Sequence, residues 1–267
     1  MSRQQNGVGG SYPATKPAVV FPLHNPEGKI FPHLEAILPD LKQVFSTAYV
    51  GVTPITEEQH PKRMENLRRD RFFALFRTSP LAPIGDQFLH LYREAASASP
   101  SIQVLHLCFI DRLAFILQSS HRRKFIEDVE TVDGNTPTLF CRSPWAWDSH
   151  PCNYRDTEQF VTRVGEMLFG KSLDFAWCHL AIRSSQLGKI IQRVSNHDLS
   201  MLAEIVVAVK ETAMMQEVDW LEWEDPFLLH RDTQDLKRER EMSIEETEKR
   251  LSYTIPMAQT LMRSISR

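Results

Sequence analysis

A chain of 267 residues, 42% hydrophobic and 24% charged, has the composition of a folded globular protein, with length for one large domain or two small ones. At that size folding buries roughly 70–75% of the surface the unfolded chain exposes, so neither disulfides nor a structural metal is required for stability. The net charge of -3 argues against bulk attraction to nucleic acid or to an anionic membrane.

Residues 1–15 are polar, rich in Gln, Asn, Gly and Ser, and carry no apolar targeting core. They are expected to form a disordered tail. No apolar run reaches the roughly 20 residues of a membrane-spanning helix, and a cytoplasmic location is the expectation. Residues 18–23 read as a buried strand, followed by the turn-prone His24-Asn25-Pro26-Glu27-Gly28. Phe31, Leu34, Ile37 and Leu38 then recur at helical spacing, and residues 44–52 read as a second strand. Strand, helix, strand predicts a βαβ unit and a parallel sheet. The spacing next predicts a helix over 63–75 overlapping a short strand near 72–77, a helix over 84–96, and a strand over 102–110 that ends in Asp111-Arg112. Another strand is expected at 138–142.

Residues 143–154, rich in Pro, Trp, Ser and His, read as a long irregular loop, a type of segment that often carries function. Beyond it, 157–169 is an amphipathic helix stopped by Gly170, and 174–182 reads as a buried strand. Helices are expected at 185–193 and 199–212, the second capped by Asp198. Trp220 and Trp223 read as a packing latch, and Ser243 with Glu246 has the spacing of a capping box before a final helix. The domains expected are a tail at 1–15, an α/β domain at 16–229 and a charged helical extension at 230–267.

Familiar catalytic motifs are missing: no GxxxxGK[ST], no GxGxxG after the first strand, no GxSxG and no HExxH. The four cysteines, Cys108, Cys141, Cys152 and Cys178, include no CxxC pair and read as reduced thiols. In open α/β sheets ligands bind beyond the carboxyl ends of the strands, which puts Pro22, His24 and Asp111 at the expected site. Asp111 is a candidate metal ligand, with Arg77 and Arg112 as phosphate partners; the alternative is that Asp111 caps the following turn. Trp145, Trp147, Asp148 and His150 have the make-up of a sugar-binding surface, or of a loop anchored by its indoles. His179 is either a metal ligand or a core histidine. Glu204, set in an apolar helix, is a candidate base. The basic residues Lys62, Arg63, Arg68, Arg69 and Arg71 are interrupted by Glu65 and Asp70, which disfavours nucleic acid.

The order of these elements, with Pro83-Ile84-Gly85-Asp86 opening a helix and an apolar strand running into Asp111, resembles the nucleotide-diphospho-sugar transferases of the GT-A fold. The resemblance covers about residues 18–210 and lies in order and spacing more than in identity. It implies a three-layer α/β sandwich around a mostly parallel sheet, a nucleotide-sugar donor, an acceptor of unknown kind, and Mg²⁺ or Mn²⁺ held at Asp111 with His179 as a late ligand. The segment 172–179 resembles the acceptor side, where Asp174 and Trp177 would act. The family's Asp-x-Asp is Asp111-Arg112-Leu113 here, so the second carboxylate is missing. That departure keeps a second expectation open, a non-catalytic α/β protein that binds a ligand or partner. Anomeric outcome and oligomeric state are not legible.

Overall fold

The computed structural model of the protein describes residues 16–223 and 233–265. The tail expected at 1–15 and the boundary expected at 229–230 lie outside the described residues. Seven strands make one sheet: β1 (Ala18–Leu23), β2 (Ala48–Val52), β3 (Phe73–Arg77), β4 (Val104–Leu107), β5 (Thr138–Arg142), β6 (His179–Arg183) and β7 (Met214–Val218). Their order is β3-β2-β1-β4-β6-β5-β7. Among them only β6 runs against the rest, paired antiparallel to β4 and β5, while the other pairings are parallel.

The helices are α1 (Ile30–Val44), α2 (Pro54–Gln59), α3 (Pro61–Arg69), α4 (Ile84–Ala98), α5 (Ile110–Gln118), α6 (Arg122–Glu130), α7 (Pro144–Ser149), α8 (Cys152–Phe169), α9 (Ser184–Ile191), α10 (Met201–Val209), α11 (Thr233–Glu241) and α12 (Ile244–Arg263). Strand periodicity sorts the core into two halves. Val19, Phe21 and Leu23 of β1 join one apolar cluster with α1, α3, α5 and α6, while Ala18 and Val20 join another with α4, α8, α9, α10 and α12. The result is helix, sheet, helix, with a mostly parallel sheet and a helical C-terminus, as expected. No described helix is long and apolar enough to cross a membrane.

Several boundaries differ from the sequence reading for local reasons. The second strand starts at Ala48 because Val44 and Phe45 close α1, the Phe45 N–H donating to the Leu41 carbonyl. α3 stops at Arg69, where Asp70 turns the chain and its Oδ1 accepts from the Phe72 N–H at 3.1 Å. The expected loop at 143–154 is mostly helical: Ser143 Oγ accepts from the Ala146 N–H, Pro144 occupies the first turn of α7, and α8 begins at Cys152. β6 is shorter than the strand expected at 174–182. Gly170 does end α8, with φ +66 and its N–H on the Glu166 carbonyl at 2.8 Å. Ser243 caps α12 through the Glu246 N–H.

The charged C-terminal segment does not stand apart, since α12 packs on α8 and α10 through Met257 and Leu261. Within α8, Gly165 lets the helix approach Phe175: a Cβ there would lie 1.9 Å from the Phe175 ring. Helix propensity favours alanine by about 1 kcal/mol. Even so, Gly165→Ala is expected to lose about 1–3 kcal/mol in urea unfolding, because a fully buried ring cannot move aside. An unchanged or raised midpoint would contradict this packing.

Candidate functional site

Six strands send their carboxyl ends, and β6 its amino end, to one edge of the sheet. Chain order reverses between β1 and β4, which opens a crevice at the switch point. Two cavities occupy that edge, of about 450 Å³ and about 290 Å³, and Phe109 and Asp111 line both.

The larger cavity is built from the residues that follow β1, β2 and β3. Pro22, Leu23, His24 and Asn25 line it together with Thr53, Thr78 and Gln87. A chain of hydroxyls holds these loops: His24 Nδ1 lies 3.1 Å from Thr53 Oγ1, Thr53 Oγ1 is 2.9 Å from Thr56 Oγ1, and the Asn25 N–H donates to Thr56 Oγ1 at 2.7 Å. Thr78 is tied to the Val52 carbonyl by its backbone N–H at 2.9 Å.

The smaller cavity is floored by a buried ion network. Arg142, at the end of β5, donates from Nε and Nη2 to Asp174 at 2.8 and 2.7 Å and also pairs with Glu158 of α8. Arg250 of α12 reaches Glu158 at 3.0 Å, and the Tyr253 hydroxyl donates to the same carboxylate at 2.6 Å. Both guanidiniums stack on rings, Arg142 over Trp147 at 3.5 Å and Arg250 over Tyr154 at 3.6 Å. Burial alone would raise Glu158, but Arg142, Arg250 and Tyr253 overcome it and hold the carboxyl at about 2. Burial likewise works against the charge on Arg142, and Asp174 and Glu158 outweigh it. Every charge in this floor is matched, so it is a scaffold and not a proton donor or acceptor. Lys249, Arg112 and Glu222 complete the wall.

Asp111 lies at the shared wall. β4 ends at Leu107, so this carboxylate sits in the first turn of α5 rather than on the strand end expected for it. It is half-buried, beside the exit of β1, and none of the described residues hydrogen-bonds its carboxylate. Arg112 faces the smaller cavity, where its charge helps depress His150.

The other predicted residues scatter. Pro22 and His24 line the larger cavity; Trp177 and His150 line the smaller one. Trp177 is fully buried and spends its indole N–H on the Leu202 carbonyl at 3.0 Å, leaving it a wall and not a donor. Burial first and then Arg142 push His150 down to about 3, so it is neutral, with Nδ1 2.8 Å from the Ala146 carbonyl. Asp174, expected at the acceptor side, is 96% buried and consumed by Arg142, and it lines neither cavity. Glu204, expected as a base, instead ties down the 195–196 loop: its carboxylate accepts from the Ser195 N–H and hydroxyl and from the Asn196 N–H, over a separate groove. Arg77 is exposed and paired with Glu57 at 3.2 Å and Glu58 at 3.6 Å, outside both cavities. Trp145 is exposed, its ring 5.7 Å from that of His121; Trp147 stacks on Arg142; Asp148 is exposed with Arg155 at 3.6 Å. None of these three lines either cavity, although the Trp147 ring lies against Arg142, which does.

His179, expected as a metal ligand beside Asp111, is a core residue. It is fully buried against the rings of Phe125, Trp220 and His106, and it lines neither cavity. Its Nδ1 is 2.8 Å from His106 Nε2, and Cys108 Sγ is within 4.8 Å of the group. Burial drives both imidazoles to the neutral form. The remaining ring nitrogens, His106 Nδ1 and His179 Nε2, find no hydrogen-bond partner among the described residues, whereas metal-bound histidines usually have that nitrogen hydrogen-bonded. Edge-on contact with Trp220 at 5.0 Å suits an N–H pointed at a ring. Cys178, pushed up to about 12 by burial, is a thiol and no nucleophile.

Sequence reasoning missed Arg142, Glu158, Arg250, Tyr253 and Glu222 as parts of the site. Glu158, Arg250 and Tyr253 look like ordinary positions on charged helices, and only tertiary packing brings them to β5.

No protein-family model matches the sequence, and no curated protein matches it. Among solved structures, one of a mycobacterial protein shares 13% identity over 92% of this chain and 74% of its own, with a TM-score of 0.49. A structure of glucosyl-3-phosphoglycerate synthase from Mycobacterium tuberculosis, with Mn²⁺, uridine-diphosphate and phosphoglyceric acid, shares 11% over 91% of this chain and 78% of its own, with a TM-score of 0.48. Likeness at this level concerns the course of the chain and carries no chemistry across.

Proposed function

We propose that the chain is a glycosyltransferase that moves a sugar from a nucleotide-diphosphate donor to an acceptor. The observation that carries this reading is the position of Asp111, a carboxylate with no hydrogen bond or ion pair among the described residues, on the wall common to two cavities at the switch point. Two adjoining chambers with a charged wall between them suit transfer from one bound molecule to another. In this reading the larger chamber, with its hydroxyls, amides and apolar walls, takes the nucleotide. The smaller one, walled by Trp177, Lys249, Arg112 and Arg250, takes the acceptor.

A divalent cation fits Asp111, because Mg²⁺ commonly takes only one or two protein carboxylates, with phosphate and water filling its shell. A cation bound there would offset charge on the departing diphosphate. Arg112 adds a fixed positive charge at the neighbouring position, while Leu113 is fully buried and contributes nothing. The chain's own residues orient the donor through His24, Asn25 and Thr53, and they exclude water from the acceptor side with Trp177 and the stacked arginines.

A thermal-shift screen with UDP-, GDP- and ADP-sugars, with and without Mn²⁺, tests the reading. Ligand at 100 times its Kd stabilises by about 2.7 kcal/mol. In a chain of this size that amounts to a rise of roughly 5–10 °C. No shift with any nucleotide sugar would sink the transferase reading. A shift with no turnover would favour the non-catalytic alternative, which the missing second carboxylate recommends.

A further inference from the structure

Between two buried tryptophans, one carboxylate is aimed at the smaller cavity. Trp220 is fully buried, its indole N–H donating to Asp128 Oδ2 at 2.9 Å; Trp223 is nearly so, its backbone N–H on Ser149 Oγ at 2.6 Å. Leu221 is buried as well and lines the same cavity, so the segment is pinned and Glu222 is its polar side chain on that wall. Its Oε1 lies 3.1 Å from His121 Nε2, and the His121 ring is held in turn against Trp145.

The other carboxylates around this part of the site are already engaged among the described residues. Glu158 and Asp174 answer Arg142, and Asp111 is placed against the diphosphate. Glu222 is partnered by an imidazole rather than a guanidinium, the arrangement that leaves a carboxylate free to take a proton and pass it on.

We propose that Glu222 is the general base of this site, oriented by His121 to accept the proton of the acceptor hydroxyl; the inference rests on the transferase reading above. The acceptor oxygen bonds to the anomeric carbon as its proton moves to Glu222. The bond from that carbon to the phosphate oxygen breaks, and its electron pair leaves with the nucleoside diphosphate. Glu222 then releases the proton through His121 to solvent. A single displacement of this kind inverts the anomeric carbon. Burial raises the Glu222 carboxyl above its ordinary range and Asp219 adds to the effect, while His121 opposes it. The charged and titratable groups around it are His121 from the start of α6, Asp219 from its own turn, Asp111 and Arg112 from α5, Arg142 from β5, His150 before α8, Tyr154 and Glu158 from α8, and Lys249, Arg250 and Tyr253 from α12. The base form therefore gains as pH rises through the Glu222 pKa, which gives kcat an acid limb.

The test uses the full chain, Mn²⁺ and an α-linked donor: UDP-glucose, GDP-mannose or ADP-glucose, whichever stabilises the protein most. Water serves as acceptor, and proton NMR follows the anomer released. Wild type is expected to release the β sugar first. Glu222→Gln is expected to lower kcat by roughly 10²–10⁴-fold and abolish the acid limb, with the Mn²⁺-dependent thermal shift intact. In His121→Ala the acid limb moves to higher pH, since an opposing group is gone. Release of the α sugar, wild-type turnover in Glu222→Gln, or no hydrolysis of a bound donor overturns the assignment. Loss of the Mn²⁺-dependent shift in Glu222→Gln also overturns it, by making Glu222 a cation ligand. If no nucleotide sugar shifts even the wild type, the transferase reading itself fails, and that outcome is visible before any variant is made.

Discussion

Replacing Arg142 with methionine is expected to lower the unfolding free energy by about 3–5 kcal/mol at pH 7, the range for breaking a buried ion pair from one side. The guanidinium is 4% exposed and serves two carboxylates that are 8% and 4% exposed. Glu158 would keep Arg250 and Tyr253, whereas Asp174 would lose its side-chain donor. Most of the loss should therefore trace to Asp174, and adding Asp174→Asn to the variant should recover at least half of it. Trp147 would lose its stacked cation as well. The pH dependence has a definite sign. Because Glu158 is held at about 2, well below an ordinary carboxyl, its contribution is complete above the usual carboxylate range. It fades as pH falls through that range towards about 2, so the gap between wild type and variant should narrow on acidification. Urea unfolding at pH 7 and pH 4 measures both effects. A loss below 1 kcal/mol at pH 7 would mean that the network does not hold β5, α8 and α12 together.

Asp111→Asn should act in the opposite way, leaving stability almost untouched and removing function. The side chain is half-buried with no hydrogen bond from the described residues, so its stability effect should fall within about 0.5 kcal/mol. Removing one group that stabilises developing negative charge typically costs roughly 10²–10³ in turnover. The Mn²⁺-dependent part of nucleotide stabilisation should disappear, while contacts made by His24, Asn25 and Thr53 preserve the metal-independent part. Titration of a nucleoside diphosphate with and without Mn²⁺ separates the two parts. Unaltered Mn²⁺ dependence in Asp111→Asn would remove this carboxylate from the centre of the proposed mechanism.

The two variants mark a division of labour at one sheet edge. Arg142, Glu158, Asp174 and Arg250 neutralise one another and stiffen the floor; Asp111 and Glu222 stand above it without a guanidinium partner among the described residues. A stiff, charge-matched floor keeps half-buried carboxylates in fixed positions, which favours a preorganised site over one that must rearrange.

What the sequence determined was local. Apolar runs at β1, β4 and β5, the stop at Gly170, the cap at Ser243 and the anchoring role of Trp220 and Trp223 all follow from φ/ψ preferences and from residues within a turn or two. The parallel βαβ start, and with it the placing of His24 and Asp111 at one edge, follow from the same short-range rules. Only the tertiary structure decided which charged groups are free. In sequence Asp111 and Asp174 are alike, each an aspartate beside an apolar run; Arg142, 32 residues away along the chain from Asp174, binds one and not the other. His179 reads as either a ligand or a core histidine until His106 from the neighbouring strand is seen to hold it, and Glu222 reads as one acid among many until two buried indoles fix where it points. Secondary structure depends on neighbours in the chain, but the reactivity of a carboxylate depends on partners and water in space, and those are set when the layers close.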